Sequence, residues 1–159
     1  MTTISLAPRS LHLVDLENLV GDPAASGPEA LDALARFLAV AEWHEGDLVQ
    51  LAANPGLLRE VAFDLPVPCN PHAVRGDDAA DAMLLSHAVP EWVAARFDRL
   101  VVGSGDHAFA PRAVAVRDLG VPVVIVSRPG SLSSALQGRG LGVRLLPAPA
   151  RAREEVLAA

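Results

Sequence analysis

The sequence contains no lysine, so every basic side chain is arginine, and mechanisms needing a Schiff-base amine or a P-loop lysine are excluded. Cys69 is the single cysteine, which rules out an intrachain disulfide or a thiolate metal cage. Folding therefore rests on packing. Aromatic residues are scarce, two Trp and four Phe; they are too few for a base-stacking platform, and Trp43 and Trp92 read mainly as core. Hydrophobic residues make up 51% of the chain and mean hydropathy is +0.31. Even so, no apolar run approaches the roughly 20 residues that span a bilayer. A soluble, membrane-free globular protein is expected. Residues 1–10 lack the charged start, long apolar stretch and cleavage site of a signal peptide, so a cytoplasmic location is expected too. With 13 basic against 19 acidic residues and a net charge of -6, there is no polybasic stripe for gripping nucleic-acid phosphates. Local contact with nucleic acid stays open, since a divalent cation would add charge that the count omits.

What is present fits one domain of 159 residues, mapped as residues 1–147 followed by a tail, 148–159, that reads as a flexible end or a docked helix. Strand-like runs alternate with helix-like segments, the pattern of a mostly parallel sheet covered on both faces by helices, a three-layer α/β/α sandwich. Strands are expected at residues 11–16, 47–52, 99–103, 121–127 and 143–146. Helices are expected at 28–43, from 56 or so to 62, at 78–89 with Pro90 interrupting or kinking the last, at 109–119, and at 132–137. The segment 64–72 carries Pro66, Pro68 and Pro71, and fits only a short edge strand and loop.

In such sheets ligands bind beyond the carboxyl ends of the strands, and acidic residues fall there in three places. Asp15 ends the first strand, where a carboxylate beside Leu13 and Val14 is costly unless paired or bound to a metal. Asp77, Asp78 and Asp81 open a helix, and a spacing of three puts Asp78 and Asp81 on one face. Asp106 follows the strand 99–103 across Gly103-Ser104-Gly105. Each has a plain alternative as a loop-bonding or helix-capping aspartate. Three together at one sheet edge would form an oxygen-rich pocket suited to Mg²⁺ or Mn²⁺.

At these residues the chain resembles the NYN domains, a branch of the PIN-like ribonucleases with a flavodoxin-like arrangement of strands. Val14-Asp15-Leu16-Glu17-Asn18 is similar to the family's "DxxN" opening, and Gly76-Asp77-Asp78-Ala79-Ala80-Asp81 to its middle helix start. Gly103-Ser104-Gly105-Asp106-His107-Ala108-Phe109 is similar to "SGDxDF", and Ser131-Leu132-Ser133-Ser134-Ala135-Leu136 to the closing "LS..L" segment. The likeness runs over residues 11–146. It implies a metal-dependent ribonuclease in which Asp15, Asp81 and Asp106 hold Mg²⁺ or Mn²⁺, Asp78 is the alternative to Asp81 or orients water, and Asn18 lies near the substrate phosphate or a metal-bound water. Ser104, Arg75 and Arg128 would bind the substrate, single-stranded RNA, with Arg112 and Arg139 as further phosphate contacts. Two positions depart from the pattern: Ala108 replaces the second acid of "SGDxDF", with His107 a candidate ligand in compensation, and Arg75 stands where lysine is common. The competing reading is accordingly a catalytically weakened PIN-like domain that binds RNA or a protein partner; a homodimer is also left open.

Other motifs fare worse. Gly103-Ser-Gly-Asp-His-Ala formally matches the dinucleotide fingerprint G-x-G-x-x-A, but Asp106 would face the pyrophosphate and the next strand ends in Ser127-Arg128 without the ribose-binding acid. A nucleophile elbow needs Gly where Val102 stands, so Ser104 is not a hydrolase serine. His12, His44, His72 and His87 show no metal-ligand spacing and are given no role.

Overall fold

The computed structural model describes residues 7–150 and 157–158; most of the expected tail therefore lies outside the described residues. Six strands, β1 (Ser10–Asp15), β2 (Leu48–Ala53), β3 (Asn70–Ala73), β4 (Arg99–Gly103), β5 (Val123–Ser127) and β6 (Gly142–Leu145), form one sheet in the order β3-β2-β1-β4-β5-β6. Every pairing is parallel. Two strands lie beyond β1 on one side, where the flavodoxin-type order 2-1-3-4-5 has one, and the strand order reverses between β1 and β4. The added edge strand is the proline-bearing segment, confined to the sheet margin because Pro71 has no ladder donor to give.

Helices α1 (Leu16–Val20), α2 (Gly27–Val40) and α3 (Pro55–Val61) cover one face; α4 (Ala79–Ser86), α5 (Pro90–Arg96) and α6 (Ala110–Asp118) cover the other. Single turns of 3₁₀ helix lie at His107–Phe109 and Ser134–Leu136. The two cores follow from strand parity. Leu11 and Leu13 of β1 pack with Leu84, Val93 and Val116, whereas Val14 packs with Leu34 and Phe37 on the opposite side. Side chains two apart share a face, so Asp15 lies on the α4 side.

Local signals explain the element ends. Ser26 and Glu29 close a capping box at the start of α2, with Pro28 in its first turn. At the other end, the Val40 carbonyl accepts from Arg144 and the Ala41 and Glu42 carbonyls from Arg99, placing cations where the helix dipole is negative. Between them Phe37 is fully buried, a contribution of roughly 1.5–3 kcal/mol.

Two expectations are corrected. The helix expected over 78–89 ends at Ser86, and Pro90 does not kink it but opens α5, because a ring-locked φ suits a first helical turn. The helix expected over 132–137 is only the 3₁₀ turn Ser134–Leu136. Among the described residues, no helix is long and apolar enough to cross a membrane.

Candidate active site

A cavity of about 420 Å³ opens at the carboxyl ends of β1 and β2, lined by residues that include Asp15, Asn18, Arg75, Asp78, Asp81 and Asp106. Four segments build it. Asp15 is the last residue of β1 and the N-cap of α1, its Oδ1 accepting from the Asn18 N–H at 3.2 Å. Asp106 caps the turn after β4, accepting from the Ala108 N–H at 2.8 Å. In both, the plain capping role is realised, but it uses one carboxylate oxygen, and no hydrogen bond to the other is found among the described residues. Asp81, in the first turn of α4, is 6% exposed and accepts no hydrogen bond among the described residues.

Asp78 departs from the capping expectation. It occupies the N-cap of α4 at φ 58, ψ 4, and its side chain makes no cap hydrogen bond. A left-handed conformation is uncommon for a residue with a Cβ, though Asp tolerates it better than most. Here it follows Gly76 at φ +93, so the loop Arg75–Asp78 turns sharply and leaves the Asp78 carboxylate exposed on the rim.

The carboxylates act on one another. Burial, then the negative charges of Asp81, Glu17 and Asp106, push Asp15 up to about 6, against the opposing hydrogen bond from Asn18. Asp81 is pushed up to about 6 by burial, then Asp106 and Asp78, with His107 opposing. Such repulsion between like charges is the condition a bound cation relieves. The donor chemistry suits a hard cation, since Asp15, Asp81 and Asp106 all offer oxygen. Among the described residues, however, no three His, Cys, Asp or Glu side chains stand close enough to form a finished metal cage. The aspartates share the pocket without being drawn together in it.

Other expected residues divide between pocket and scaffold. Arg75 is an exposed rim residue. Asn18 lines the pocket, and its Oδ1 accepts from the Gly105 N–H at 3.2 Å, tying the β1 corner to the β4 corner. Ser104 lies outside the lining and is fully buried, its hydroxyl accepting from the Asp106 N–H at 3.2 Å. Arg128 is also outside; its Nε donates to the Asn18 carbonyl at 2.7 Å and its guanidinium covers Gly21. Arg112 is turned away, donating to the Leu85 and Ala88 carbonyls behind α4. His107 is exposed, its Nδ1 3.4 Å from the Asp106 carboxylate. Among the unassigned histidines, buried His12 bonds Asp47 at 2.9 Å, and His72 stacks on His87 with centroids 4.6 Å apart.

Among the lining residues that went unassigned from sequence are Glu17 and Asn54. Asn54 directly follows β2, so the rule that pointed to Asp15 and Asp106 would have found it. Its Asn-Pro-Gly context read instead as turn punctuation.

A doubly wound, three-layer α/β/α domain with carboxylates gathered where its strand order reverses has the fold of the PIN-like nucleases. The chain belongs to the NYN domain family, whose model matches residues 5–139. Domains of that family are generally ribonucleases that bind RNA and usually use divalent metals. No curated protein matches the chain. Among solved structures it is similar to a protein of unknown function, VPA0982, from Vibrio parahaemolyticus, with a TM-score of 0.62 and 16% identity over 92% of this chain and 97% of that one. At that identity the likeness speaks for the fold.

Proposed function

We propose that this protein is a metal-dependent ribonuclease that hydrolyses single-stranded RNA, with Asp15, Asp81 and Asp106 holding Mg²⁺ or Mn²⁺. The observation that carries this reading is the convergence of carboxylates from β1, α4 and the β4 loop on one cavity, where burial and mutual repulsion raise the two most enclosed. A bound divalent cation supplies Lewis acidity, making water a better nucleophile and offsetting charge that builds on the phosphate.

The chain's own groups do the rest. Asp78, exposed and free of capping duty, orients the attacking water and takes up its proton as that oxygen bonds to phosphorus. The P–O bond to the leaving nucleotide breaks, and its oxygen takes a proton from solvent. The Asn18 amide, whose oxygen is engaged by Gly105, turns its NH₂ to a phosphate oxygen. Arg75 on the rim pairs with a flanking phosphate, a contact that two parallel N–H donors make well. Ser104 and Arg128 support the site from behind: one holds the Asp106 backbone, the other the Asn18 carbonyl.

A second reading rests on Ala108, which puts no acid where the family signature has one: a weakened domain that binds RNA or a protein. Incubation of labelled single-stranded RNA with Mn²⁺, comparing the wild type with Asp106→Asn, separates the two. Cleavage by the wild type alone is expected. Equal cleavage by both would exclude this site, and RNA binding without cleavage by either would favour the second reading.

A further inference from the structure

We propose that Glu17 is the residue by which this site distinguishes RNA from DNA, accepting a hydrogen bond from a ribose 2′-hydroxyl of the strand lying in the pocket. The inference rests on the nuclease reading above and adds a specificity-determining residue to it. Hydrolysis by an added water takes nothing from the 2′-hydroxyl. The chemistry alone would therefore cleave either backbone, and discrimination has to come from a contact with that hydroxyl.

Glu17 has the attributes such a contact needs. It lines the cavity beside Asn18, and both carboxylate oxygens are held from across the pocket: Oε1 by the Asn54 side-chain NH₂ at 2.7 Å and Oε2 by the Asn54 backbone N–H at 3.2 Å. Asn54 is itself fixed, its Oδ1 accepting from the Leu57 N–H at 2.9 Å as the cap of α3. A carboxylate offers about four lone-pair positions. Two are used here, and those left over are oriented before any ligand arrives, so little ordering entropy opposes their use. Asp77 and Asp78 also line the cavity, but no hydrogen bond to either carboxylate is found among the described residues. They lack that preorganisation.

The adjacent Asn18 is turned the other way, to the β4 corner. The Gly105 N–H bonds Asn18 Oδ1, which fixes the amide so that Nδ2 is the atom left to donate. The Glu17 carboxylate offers an acceptor to a 2′-hydroxyl and nothing to a 2′-hydrogen.

The test uses three single strands of one sequence, all-ribo, all-2′-fluoro and all-deoxy; the 2′-fluoro strand keeps a ribose-like pucker but cannot donate. Affinity is measured with Ca²⁺ and kcat/KM with Mn²⁺, for the wild type, Glu17→Ala and the isosteric Glu17→Gln, each checked for an intact fold by its melting temperature. The wild type should prefer ribo over 2′-fluoro by about tenfold or more, as expected for a hydrogen bond to a charged group. Both Glu17 variants should lose most of that preference. A wild type indifferent to the substitution, or variants that keep the full preference, would overturn the proposal. Glu17-dependent ribose preference in binding without cleavage would keep it and overturn the hydrolytic reading; cleavage without ribose preference would do the reverse.

Discussion

Asp15 is held in the folded chain with a carboxyl raised to about 6 from an ordinary 3.8, by burial first and by neighbouring negative charge after it. The sign of the linkage follows. Between those values the folded protein retains a proton that the unfolded chain has released, so stability falls as pH rises through the window and stays lower above it. In metal-free solution, Asp15→Asn should therefore melt higher than the wild type at about pH 7.5, with the advantage gone below about pH 4, where both states are protonated. Thermal denaturation in EDTA at the two pH values measures this; a variant that melts lower at both would mean the charge is not the cost. Asp15 and Asp81 must both be ionised to hold a cation, so cleavage at sub-saturating Mn²⁺ should climb as pH rises through about 6, the value to which both are raised without metal. A flat pH profile through that region would detach the reaction from these groups.

At the scale of elements, what periodicity and punctuation govern was legible. Strand β4 was expected at 99–103 and found there, and β1 at 11–16 is found at Ser10–Asp15. Apolar runs bounded by charge or glycine have few other ways to lie in a buried sheet. Less legible was the direction in which a loop side chain points, which depends on what approaches from elsewhere in the chain. Ser104 sits between two glycines and read as substrate-facing, yet it is driven inward. A Cβ on Gly105 would overlap the Ser131 carbonyl and the Ser127 hydroxyl, so the loop packs flat against the segment after β5. The same packing turns Arg128 over Gly21 rather than toward the cavity. Gly105→Ala should accordingly destabilise the fold by about 1–3 kcal/mol, the usual cost of overpacking, and shift the Asp106 cap with it. Urea unfolding checks the first effect; a variant as stable as the wild type would mean the loop has room the geometry denies it.

For the molecule as a whole, the sheet does the gathering. Residues 15, 81 and 106 are far apart in sequence and line one cavity because β1 and β4 are neighbours at the reversal of strand order while α4 crosses the face to which Asp15 points. Chain order and strand ends sufficed to foresee that edge. They could not give the finer fact that the carboxylates share a cavity without closing into a cage, because that depends on rotamers and on the strained turn at Asp78. A net charge of -6 fits the proposed reading: with no basic surface to grip RNA, a cation in the acidic pocket would be what draws the strand there. The most direct measurement is a Mn²⁺ titration of metal-free protein, followed by melting temperature and by calorimetry, for the wild type and for Asp15→Asn, Asp81→Asn and Asp106→Asn separately. The account predicts that Mn²⁺ raises the wild-type melting temperature by several degrees, as binding to the folded state alone requires, and that each substitution removes most of that rise. A wild type that Mn²⁺ leaves unchanged, or three variants that bind it as tightly as the wild type, would contradict it.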